Sequence, residues 1–452
     1  MNKNKKRTAL ILILLGIIIL NAYPSFGANW YKGTLHTHTG FSTYSGYDGN
    51  PDTDEDDCLL ELVTIYDYYF HNQPGKNISQ LKQQALGLGL KWQSFEDHSY
   101  CLDSSEFQTV KTDCINAQQN GTYTCLAGEE LSVYDGLFDK ESLCFNEVFK
   151  SGAHIGANGI SSYQSQSPTG IFPISYCPIS PTAQNAIKNI NNDNGISIIH
   201  HPVTPLVWDM DSFEYVSGET GVEVWNGDWD NSLIYNQKAL ELWKNLRLLK
   251  GMKSFAFSGT DSHGDAVGEP YQNVYLNSLD SNSLNTGLKS GRSVASNNGW
   301  IDLSIGDKHM GDVVYVVEGD EITLNMGYDV DSQCYPLLYE GGIKSGEILY
   351  LLDSISGGGT KSQDFTITKN SYFRAECFSG DKLIFTNPIW VDIVEQISVT
   401  NNGDDDLTIT SITEDKSWAS VSPTSFTGSN KIPPGQSRVV NVTIKNLNEV
   451  LL

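Results

Sequence analysis

The segment Tyr31-Lys-Gly-Thr-Leu-His-Thr-His38 runs from a strand-like sequence into two histidines that stand two residues apart. In a strand, residues i and i+2 point to the same side, so both imidazoles can bind one centre. Similar runs end in a histidine or an acid at Asp97-His98, His154, His200-His201 and Asp261-Ser-His263. Because a structural histidine needs only one satisfied hydrogen bond, packing does not require such clustering. The pattern predicts a metal site.

Strand-like and helical runs alternate between residues 29 and 300. Strands are predicted at residues 31–38, 91–96, 123–133, 195–200, 221–225 and 254–258. Helices are predicted at residues 78–88, 182–191 and 233–249, and each is followed by a glycine, which is typical of a left-handed helix stop. This repetition favours an α/β fold with a parallel sheet or an α/β barrel. The histidine clusters would then lie at the carboxyl ends of the strands, where α/β barrels place catalytic groups.

After Trp300 the sequence changes to short alternating runs that are separated by Gly, Ser and Asp turns. Residues 301–394 are therefore predicted to form an all-β, sandwich-like domain. Residues 395–452 continue the same style and resemble part of an immunoglobulin-like module. This last segment is shorter than a free-standing sandwich of about 100 residues. It is either a truncated module or a piece that completes another sheet.

The N-terminus carries the features of a secretory signal peptide over residues 1–28. A basic start precedes a short apolar run at residues 8–20, and small residues stand around Ser25 and Gly27. The apolar run is short for a membrane span of roughly 20 residues, so an uncleaved anchor is the less favoured alternative. We therefore expect a secreted or extracytoplasmic mature protein with no membrane span after cleavage.

Charge and cysteine content narrow the function classes further. The chain has 54 acidic and 29 basic residues, a formal net charge of −25, which argues against nucleic acid as a partner. Its eight cysteines form an even set, and disulfides are the default in an exported chain. Cys334 and Cys377 are expected to pair within their own later region, whereas the connectivity of the earlier six stays open. No CxxC spacing is present, which disfavours a thiolate metal site.

Histidine combined with Asp or Glu is the ligand set for zinc, manganese or iron in a hydrolytic site, and the sequence does not choose among these metals. Two adjacent ions need a shared carboxylate, because a bridging group screens their mutual repulsion. Glu129 is the candidate for this bridge. It follows a strand-like run, and Gly128 before it allows a close approach of the backbone.

The order of these motifs resembles the PHP (polymerase and histidinol phosphatase) superfamily. The matching motifs are His36-x-His38, Asp97-His98, Gly128-Glu129, His154, His201-Pro202, Glu223-x-x-Asn226 and Asp261-x-His263. The opening at residues 30–39 and the segment at residues 290–294 are similar to the exported CehA/McbA-like metallohydrolase branch. The resemblance covers residues 30–300. It implies a distorted (β/α)7 barrel of PHP type with two or three divalent metals, followed by the C-terminal all-β sandwich domains.

The resemblance also implies roles for individual residues. One metal would take His36, His38, Glu129 and Asp261, and a second would take Glu129, His154 and His201. His98 and His263 would bind a third metal or assist the substrate, and either could protonate the leaving group. Arg292 is a candidate catalytic clamp for an anionic substrate, because its planar guanidinium matches phosphate or carboxylate.

The sequence departs from the family pattern in two places. Tyr44 stands where members with three metals often carry a histidine, and Asp48 is the candidate ligand in its place. Glu96 replaces the threonine that usually precedes the Asp-His motif. Two ions are therefore the predicted number, with a third left open. His200 is expected to point away from His201 as a packing residue, because neighbours in a strand face opposite sides.

The function predicted from these features is an exported divalent-metal-dependent hydrolase. A metal-activated hydroxide would attack a phosphoester or a related ester or amide bond of a small-molecule substrate. The alternative is a surface or matrix-binding protein that has a structural metal site and adhesive β modules. Glu223 and Asn226 are candidates for orienting the ligands, or else for ordinary turn and helix-cap roles.

Overall fold

The computed structural model describes residues 29–42, 75–99, 102–133, 153–164, 183–203, 216–228, 232–342, 345–413 and 419–444. Several predictions from the sequence fall outside these residues: the signal peptide, Tyr44, Asp48 and four of the cysteines, Cys58, Cys101, Cys144 and Cys177.

Seven strands close into a barrel. They are β1 (Asn29–Thr37), β2 (Trp92–His98), β3 (Thr124–Val133), β4 (Ala153–Asn158), β5 (Ile196–Ile199), β6 (Gly221–Asn226) and β7 (Phe255–Ser262). β1 pairs in parallel with both β2 and β7, which closes the ring. The pairs β2–β3, β5–β6 and β6–β7 are parallel as well. β4 is antiparallel to β3 and to β5.

The part of the chain that the structure describes contains five α-helices. They are α1 (Ile78–Gly87), α2 (Ser104–Ala117), α3 (Ala183–Asn192), α4 (Leu233–Leu246) and α5 (Ser281–Lys289). α1, α3 and α4 were predicted, and Gly89 and Gly251 take the expected left-handed conformation after α1 and α4. After α3 it is Asn194, rather than the predicted glycine, that has a positive φ. Asparagine tolerates this conformation better than most residues.

Helix α2 was not predicted, although its start carries a recognisable signal. Asp103 accepts hydrogen bonds from the backbone of Ser105 and Glu106, and the Glu106 carboxylate accepts one from the backbone of Asp103. This reciprocal arrangement is a capping box, which satisfies amide groups that the first helical turn leaves without partners. Cys114 near the end of α2 forms a disulfide with Cys125 on β3 and so ties the helix to the barrel.

The prediction of a (β/α)7 barrel is wrong. The structure has twenty strands and five α-helices in its described residues, so the chain is mainly β, and the closed seven-stranded barrel lacks regular strand-helix alternation. The antiparallel strand β4 is one physical reason, because antiparallel neighbours need no helical crossover between them. β4 was missed because its Gly156 and its alanines carry a weak strand propensity.

Two strands lead from the barrel to the C-terminal region. β8 (Tyr271–Leu276) is antiparallel to β1, and β9 (Ser293–Ser296) is antiparallel to β8. The following strands are β10 (Trp300–Ile305), β11 (Lys308–His309), β12 (Val313–Val316), β13 (Glu321–Gly342), β14 (Gly346–Leu351), β15 (Ile355–Thr366), β16 (Ser371–Ser379), β17 (Lys382–Thr386) and β18 (Ile389–Thr400). β9 also pairs with β17, so hydrogen bonds join the two regions directly.

The long strands β13 and β18 each take part in two sets of pairings. β13 pairs with β10 and β15 through its first half and with β14 and β16 through its second half. The end of β18 pairs with β20 (Ser437–Ile444), which also pairs with β19 (Ala419–Ser422). The predicted pairing of Cys334 with Cys377 is confirmed, and this disulfide joins β13 to β16. The domain limits at residues 300 and 394 stay predictions.

The two disulfides within the described residues are compatible with an extracellular protein, because such bonds persist in oxidising compartments. Within the described ranges, none of the helices has the length and apolar character needed to cross a membrane.

A buried ion-pair cluster lies between helix α4 and the C-terminal strands. The Arg374 side chain on β16 is 1% exposed and binds both carboxylate oxygens of Glu347 on β14, at 2.6 and 2.7 Å. It also pairs with Glu376, and its guanidinium lies 4.1 Å from the centre of the Tyr339 ring. Lys244 on α4 reaches Glu347 at 3.6 Å and so extends the cluster to the barrel helices.

The His309–Asp302 pair in the C-terminal region predicts a small pH dependence of stability. A 2.8 Å hydrogen bond from the ring to Asp302 raises the pKa of His309. The pair stabilises the fold fully below the unfolded pKa of about 6.5, and this contribution disappears as pH rises through the raised folded pKa. As the pH rises from about 6.5 through the folded pKa of His309, we expect the urea midpoint of the wild type to fall relative to the midpoint of His309→Gln. Because the ring is partly exposed, the effect should stay below about 1 kcal/mol.

Candidate metal centre

Ten histidine and acidic side chains converge at one end of the barrel. They are His36, His38, His98, Glu130, His154, His200, His201, Glu223, Asp261 and His263. Every barrel strand contributes at least one of them, either from within the strand or from the residues that follow it. His154 reaches the same end from the start of β4, because β4 runs in the opposite direction to its neighbours. All seven histidines of the clusters singled out in the sequence are brought together here.

Glu130 on β3 lies at the centre of this group. Its carboxylate is fully buried and lies 2.7 Å from Nδ1 of His98 and 2.8 Å from Nδ1 of His154. The Nε2 atoms of His36 and His201 are each 3.1 Å away. Burial alone would raise the pKa of Glu130, but the neighbouring histidines, His154 first, hold it well below its usual range. The carboxylate is therefore charged and shared among several imidazoles.

Glu129, the residue predicted as the bridge, does not lie among the histidines. Its Oε1 accepts a hydrogen bond from the backbone N of Gln164 at 3.0 Å, and burial raises its pKa to about 8. Adjacent residues of a strand face opposite sides, so Glu129 and Glu130 cannot both point into the cluster. Glu130, the next residue, lies among the histidines instead. The sequence offered two neighbouring glutamates, and only the register of β3 in the barrel distinguishes them.

Three residues of the cluster adopt a backbone conformation that side chains rarely take. His36, His201 and Asp261 have φ angles of 52°, 25° and 49°. Each such conformation costs on the order of 1–3 kcal/mol and persists only where the surroundings enforce it. The Oδ1 atom of Asp261 lies 3.4 Å from Nε2 of His36 and 3.3 Å from Nε2 of His38. The strained backbone thus brings these side chains together, as is common at functional sites.

His38, His98 and His263 form a second grouping beside Glu130. Nε2 of His98 lies 3.1 Å from Nε2 of His263, and the rings of His38 and His263 stack with their centres 4.0 Å apart. Burial, reinforced by the charge of His263, lowers the pKa of His38 to about 3. A neutral His38 keeps a lone pair available for a metal ion.

The residues present fit divalent metal ions. Five overlapping sets of three side chains place one ligand atom each within 4.8 Å of one another, and Glu130 or His36 takes part in four of the five. Within the described part of the chain, Nε2 of His36, Nε2 of His38 and Oε2 of Glu130 are buried without a well-directed hydrogen bond. Buried polar atoms rarely lack a hydrogen bond, and the ligand atoms of these three residues lie within 4.8 Å of one another. Imidazole and carboxylate ligands suit zinc, manganese or iron.

A second layer of polar side chains contacts the clustered residues. Glu223 on β6 lies 3.0 Å from Nδ1 of His36 through one oxygen, while the other accepts a hydrogen bond from the backbone N of His201 at 2.8 Å. Asn226 donates to Glu223 at 3.0 Å and to Asp261 at 3.2 Å. A carboxylate on the far nitrogen of a ligand histidine fixes its tautomer and ring plane. Both Glu223 and Asn226 therefore contact residues of the cluster, and their orienting role stays a prediction.

Asp97 organises the turn after β1. Its carboxylate accepts hydrogen bonds from the backbone N of Thr39 at 2.7 Å, from the Thr39 hydroxyl at 2.8 Å and from the Ser42 hydroxyl at 2.8 Å. Burial raises its pKa to about 6, although these bonds act in the opposite direction. The backbone N of His98 donates to Ser42 at 2.9 Å, so the turn is also linked to β2.

Arg292, the predicted anion clamp, lies elsewhere. Its guanidinium pairs with Asp312 at 3.1 Å, and Asp312 also accepts a hydrogen bond from the backbone N of His309. The clamp role stays a prediction, but the structure places this side chain at the start of the C-terminal strands and not among the histidines. Trp225 and Trp243 are buried and pack in the core.

No protein-family model matches the chain. No curated protein matches it either. Among solved structures, the chain is similar to the crystal structure of a candidate metal-dependent phosphoesterase from Bifidobacterium adolescentis, with 12% sequence identity and a TM-score of 0.33. The match covers 57% of this chain and 95% of that chain. At this level of similarity no residue role is transferred.

Proposed function

We propose that this chain is a divalent-metal-dependent hydrolase that acts on a phosphoester or a related ester or amide bond. The observation that carries the proposal is the convergence of six histidines on the buried carboxylate of Glu130 at one end of a closed barrel. The order of the motifs, which resembles the PHP superfamily and its exported CehA/McbA-like branch, supports the same activity. The predicted signal peptide and the two disulfides support a location outside the cytoplasm.

Two sets of side chains, taken from the order of the motifs, would hold the two ions. One ion would take His36, His38, Glu130 and Asp261, and the second would take Glu130, His154 and His201. Glu130 therefore replaces Glu129 as the proposed bridge. His98 and His263 would hold a third ion or contact the substrate. Zinc, manganese and iron all suit these ligands.

The exposure of the ligands indicates the side from which a substrate would approach. The side chains of His36 and His38 are 0% exposed, whereas those of Asp261 and His154 are 28% and 19% exposed. A substrate would therefore reach the cluster past the latter two residues. Ions held there would supply Lewis-acid polarisation and lower the pKa of a bound water to about 7.

The protein's own groups supply orientation and proton transfer. Glu223 would accept a hydrogen bond from Nδ1–H of His36, which leaves Nε2 directed at the cluster. His98 and His263 lie side by side with low side-chain exposure, 6% and 8%, near His38. One of the two could protonate a leaving group, since histidine titrates near neutral pH.

Replacing His36 with alanine tests the proposal. We expect the wild-type protein to contain two divalent ions and to hydrolyse aryl phosphates, cyclic phosphates or aryl esters. His36→Ala should lose at least one ion and reduce turnover by about three orders of magnitude, because the loss of several kcal/mol of charge stabilisation corresponds to that factor. Metal analysis by mass spectrometry and initial rates on the substrate panel measure both effects.

His309→Ala is the matched control, since His309 also pairs with a carboxylate but lies in the C-terminal region. It should keep the metal content and the rate. A wild-type metal content below one ion per chain contradicts the two-metal centre. If the wild type holds metal, hydrolyses none of the panel, and His36→Ala changes only stability, the alternative is favoured: a surface or matrix-binding protein whose β modules make the contact.

A further inference from the structure

A polar network lies directly beneath the proposed ligands, and Glu96 is its centre. Glu96 stands two residues before His98 on β2, so the two side chains share the inner face of the strand. Its carboxylate is fully buried, and Oε1 accepts a hydrogen bond from the backbone N of His36 at 2.7 Å. Oε2 lies 3.1 Å from Nε2 of His200 and accepts a hydrogen bond from Asn158 at 2.9 Å. Through Nδ1, His200 also lies 3.4 Å from Oε1 of Glu130.

His200 connects this network to the ring of His36. Strand β5 ends at Ile199, so strict alternation no longer governs the next residues. The expectation that His200 points away from the cluster is therefore wrong. Its ring is buried and stacks on that of His36, with centres 3.7 Å apart and planes inclined by 18°. Glu96 thus contacts the backbone of His36, and His200 covers the face of its imidazole.

Two glycines leave the space that these contacts need. A Cβ atom at Gly156 on β4 would overlap both Nε2 of His200 and Oε2 of Glu96. A Cβ atom at Gly259 on β7 would overlap Oε1 of Glu223 and would lie 2.6 Å from Cβ of His36. Any larger residue would therefore displace the groups that surround His36. Gly156 and Gly259 thus leave room for the carboxylates of Glu96 and Glu223 near His36.

His36 needs such support because its backbone is strained. Its φ of 52° lies in the left-handed region, which side chains other than glycine rarely adopt. The hydrogen bond from its N–H to Glu96 holds the chain in this conformation, and the ring of His200 restricts the plane of the imidazole. Without them the residue could relax toward ordinary strand geometry, which would redirect its Nε2 atom.

We infer that Glu96 and His200 form a positioning pair that sets the backbone conformation and ring plane of His36 and thereby the affinity of the site for its metal ion. This inference rests on the proposed metal-dependent function. The two residues act through His36 and touch no substrate. Their effect should be visible in metal binding itself, which a role limited to filling the barrel core would not change.

The test measures metal binding by the full chain after chelator treatment. Mn²⁺ alone is titrated calorimetrically into the wild type, Glu96→Gln, His200→Gln and the double variant. We expect each single variant to bind the ion about 10–100-fold more weakly, as is typical when a group that orients a ligand is removed. The double variant should lose about as much as either single variant, because both changes act through the same histidine.

Two further variants separate positioning from general destabilisation. Glu219→Gln removes another fully buried carboxylate that is paired with Arg247, away from the histidines, and should leave Mn²⁺ affinity unchanged. Gly156→Ala pushes Glu96 and His200 apart without removing a polar group, and should weaken binding like Glu96→Gln. The visible spectrum of the Co²⁺-loaded protein should change in Glu96→Gln, His200→Gln and Gly156→Ala, but not in Glu219→Gln.

The outcomes distinguish this inference from the proposed function. If the wild type binds no ion, the proposed function fails and the inference falls with it. If the wild type binds Mn²⁺ and the variants of Glu96 and His200 bind it equally well with an unchanged Co²⁺ spectrum, only the positioning pair is refuted. The positioning pair is also refuted if the losses of Mn²⁺ affinity in the two single variants multiply in the double variant. An equal loss of Mn²⁺ affinity in Glu219→Gln refutes it as well.

Discussion

Glu130→Gln should remove most metal binding and reduce hydrolysis by about three orders of magnitude or more. The substitution keeps the volume of the side chain but takes away the negative charge shared by His36, His98, His154 and His201. In the proposed two-metal centre, two adjacent cations would then lose the bridge that screens their repulsion, and several kcal/mol of charge stabilisation correspond to that loss of rate. Metal content by mass spectrometry and steady-state rates on aryl phosphates measure the effect.

Glu129→Gln is the matched control for this prediction. The two glutamates are neighbours on β3 and are equally buried, but the Glu129 carboxylate faces Gln164 and not the histidines. We expect this variant to keep its metal ions and to lose at most a few-fold in rate. If Glu129→Gln loses the ions and Glu130→Gln keeps them, the original assignment from the sequence is right and the placement in the barrel is refuted.

Arg374→Met should lower the free energy of unfolding by about 3–5 kcal/mol, because it leaves the buried carboxylates of Glu347 and Glu376 without their cation. This is a large fraction of the stability of an ordinary domain. Equilibrium unfolding in guanidinium chloride, followed by fluorescence, measures the change. Because Lys244 on α4 also contacts Glu347, the barrel helices should unfold at lower denaturant in the variant.

Arg292→Met provides the comparison for this second prediction. The Arg292–Asp312 pair is also an ion pair of arginine with a carboxylate, but its side chains are 34% and 30% exposed. Exposed pairs contribute about 0–1 kcal/mol, so this variant should be nearly as stable as the wild type. Replacing Arg374, Glu347 and Glu376 together by apolar residues should destabilise less than Arg374→Met alone. Equal losses in Arg374→Met and Arg292→Met would contradict the argument.

The candidate site was predictable where it depends on local strand geometry. The prediction that His36 and His38 lie close together used the two-residue period of a strand, and both side chains do reach the cluster, although β1 ends at Thr37 and His36 has a φ of 52°. The clustering of histidines and acids after apolar runs also indicated that distant segments meet at one end of a sheet. The structure brings together each of the predicted histidine ligands that it describes. Glu223 and Asn226 also stand where an orienting role was considered for them.

Choices between adjacent residues were not predictable. Glu129 and Glu130 have the same chemistry, and only the register of β3 against β2 and β4 determines which one faces inward. His200 and His201 both reach the cluster because β5 ends before them and His201 takes a positive φ. A rule that assumes continued alternation must fail at such a strand end.

The amino-acid sequence by itself determined the chemistry of this protein: its histidine and carboxylate groups, their order along the chain and the strand-like segments that carry them. These properties depend on residue type and short-range geometry, which need no partner strand. Tertiary structure alone decided the reversed direction of β4, the mainly β architecture and the inward position of Glu130. Those features follow from pairing between segments far apart in the chain, and the sequence of a single segment does not determine the energy of that pairing.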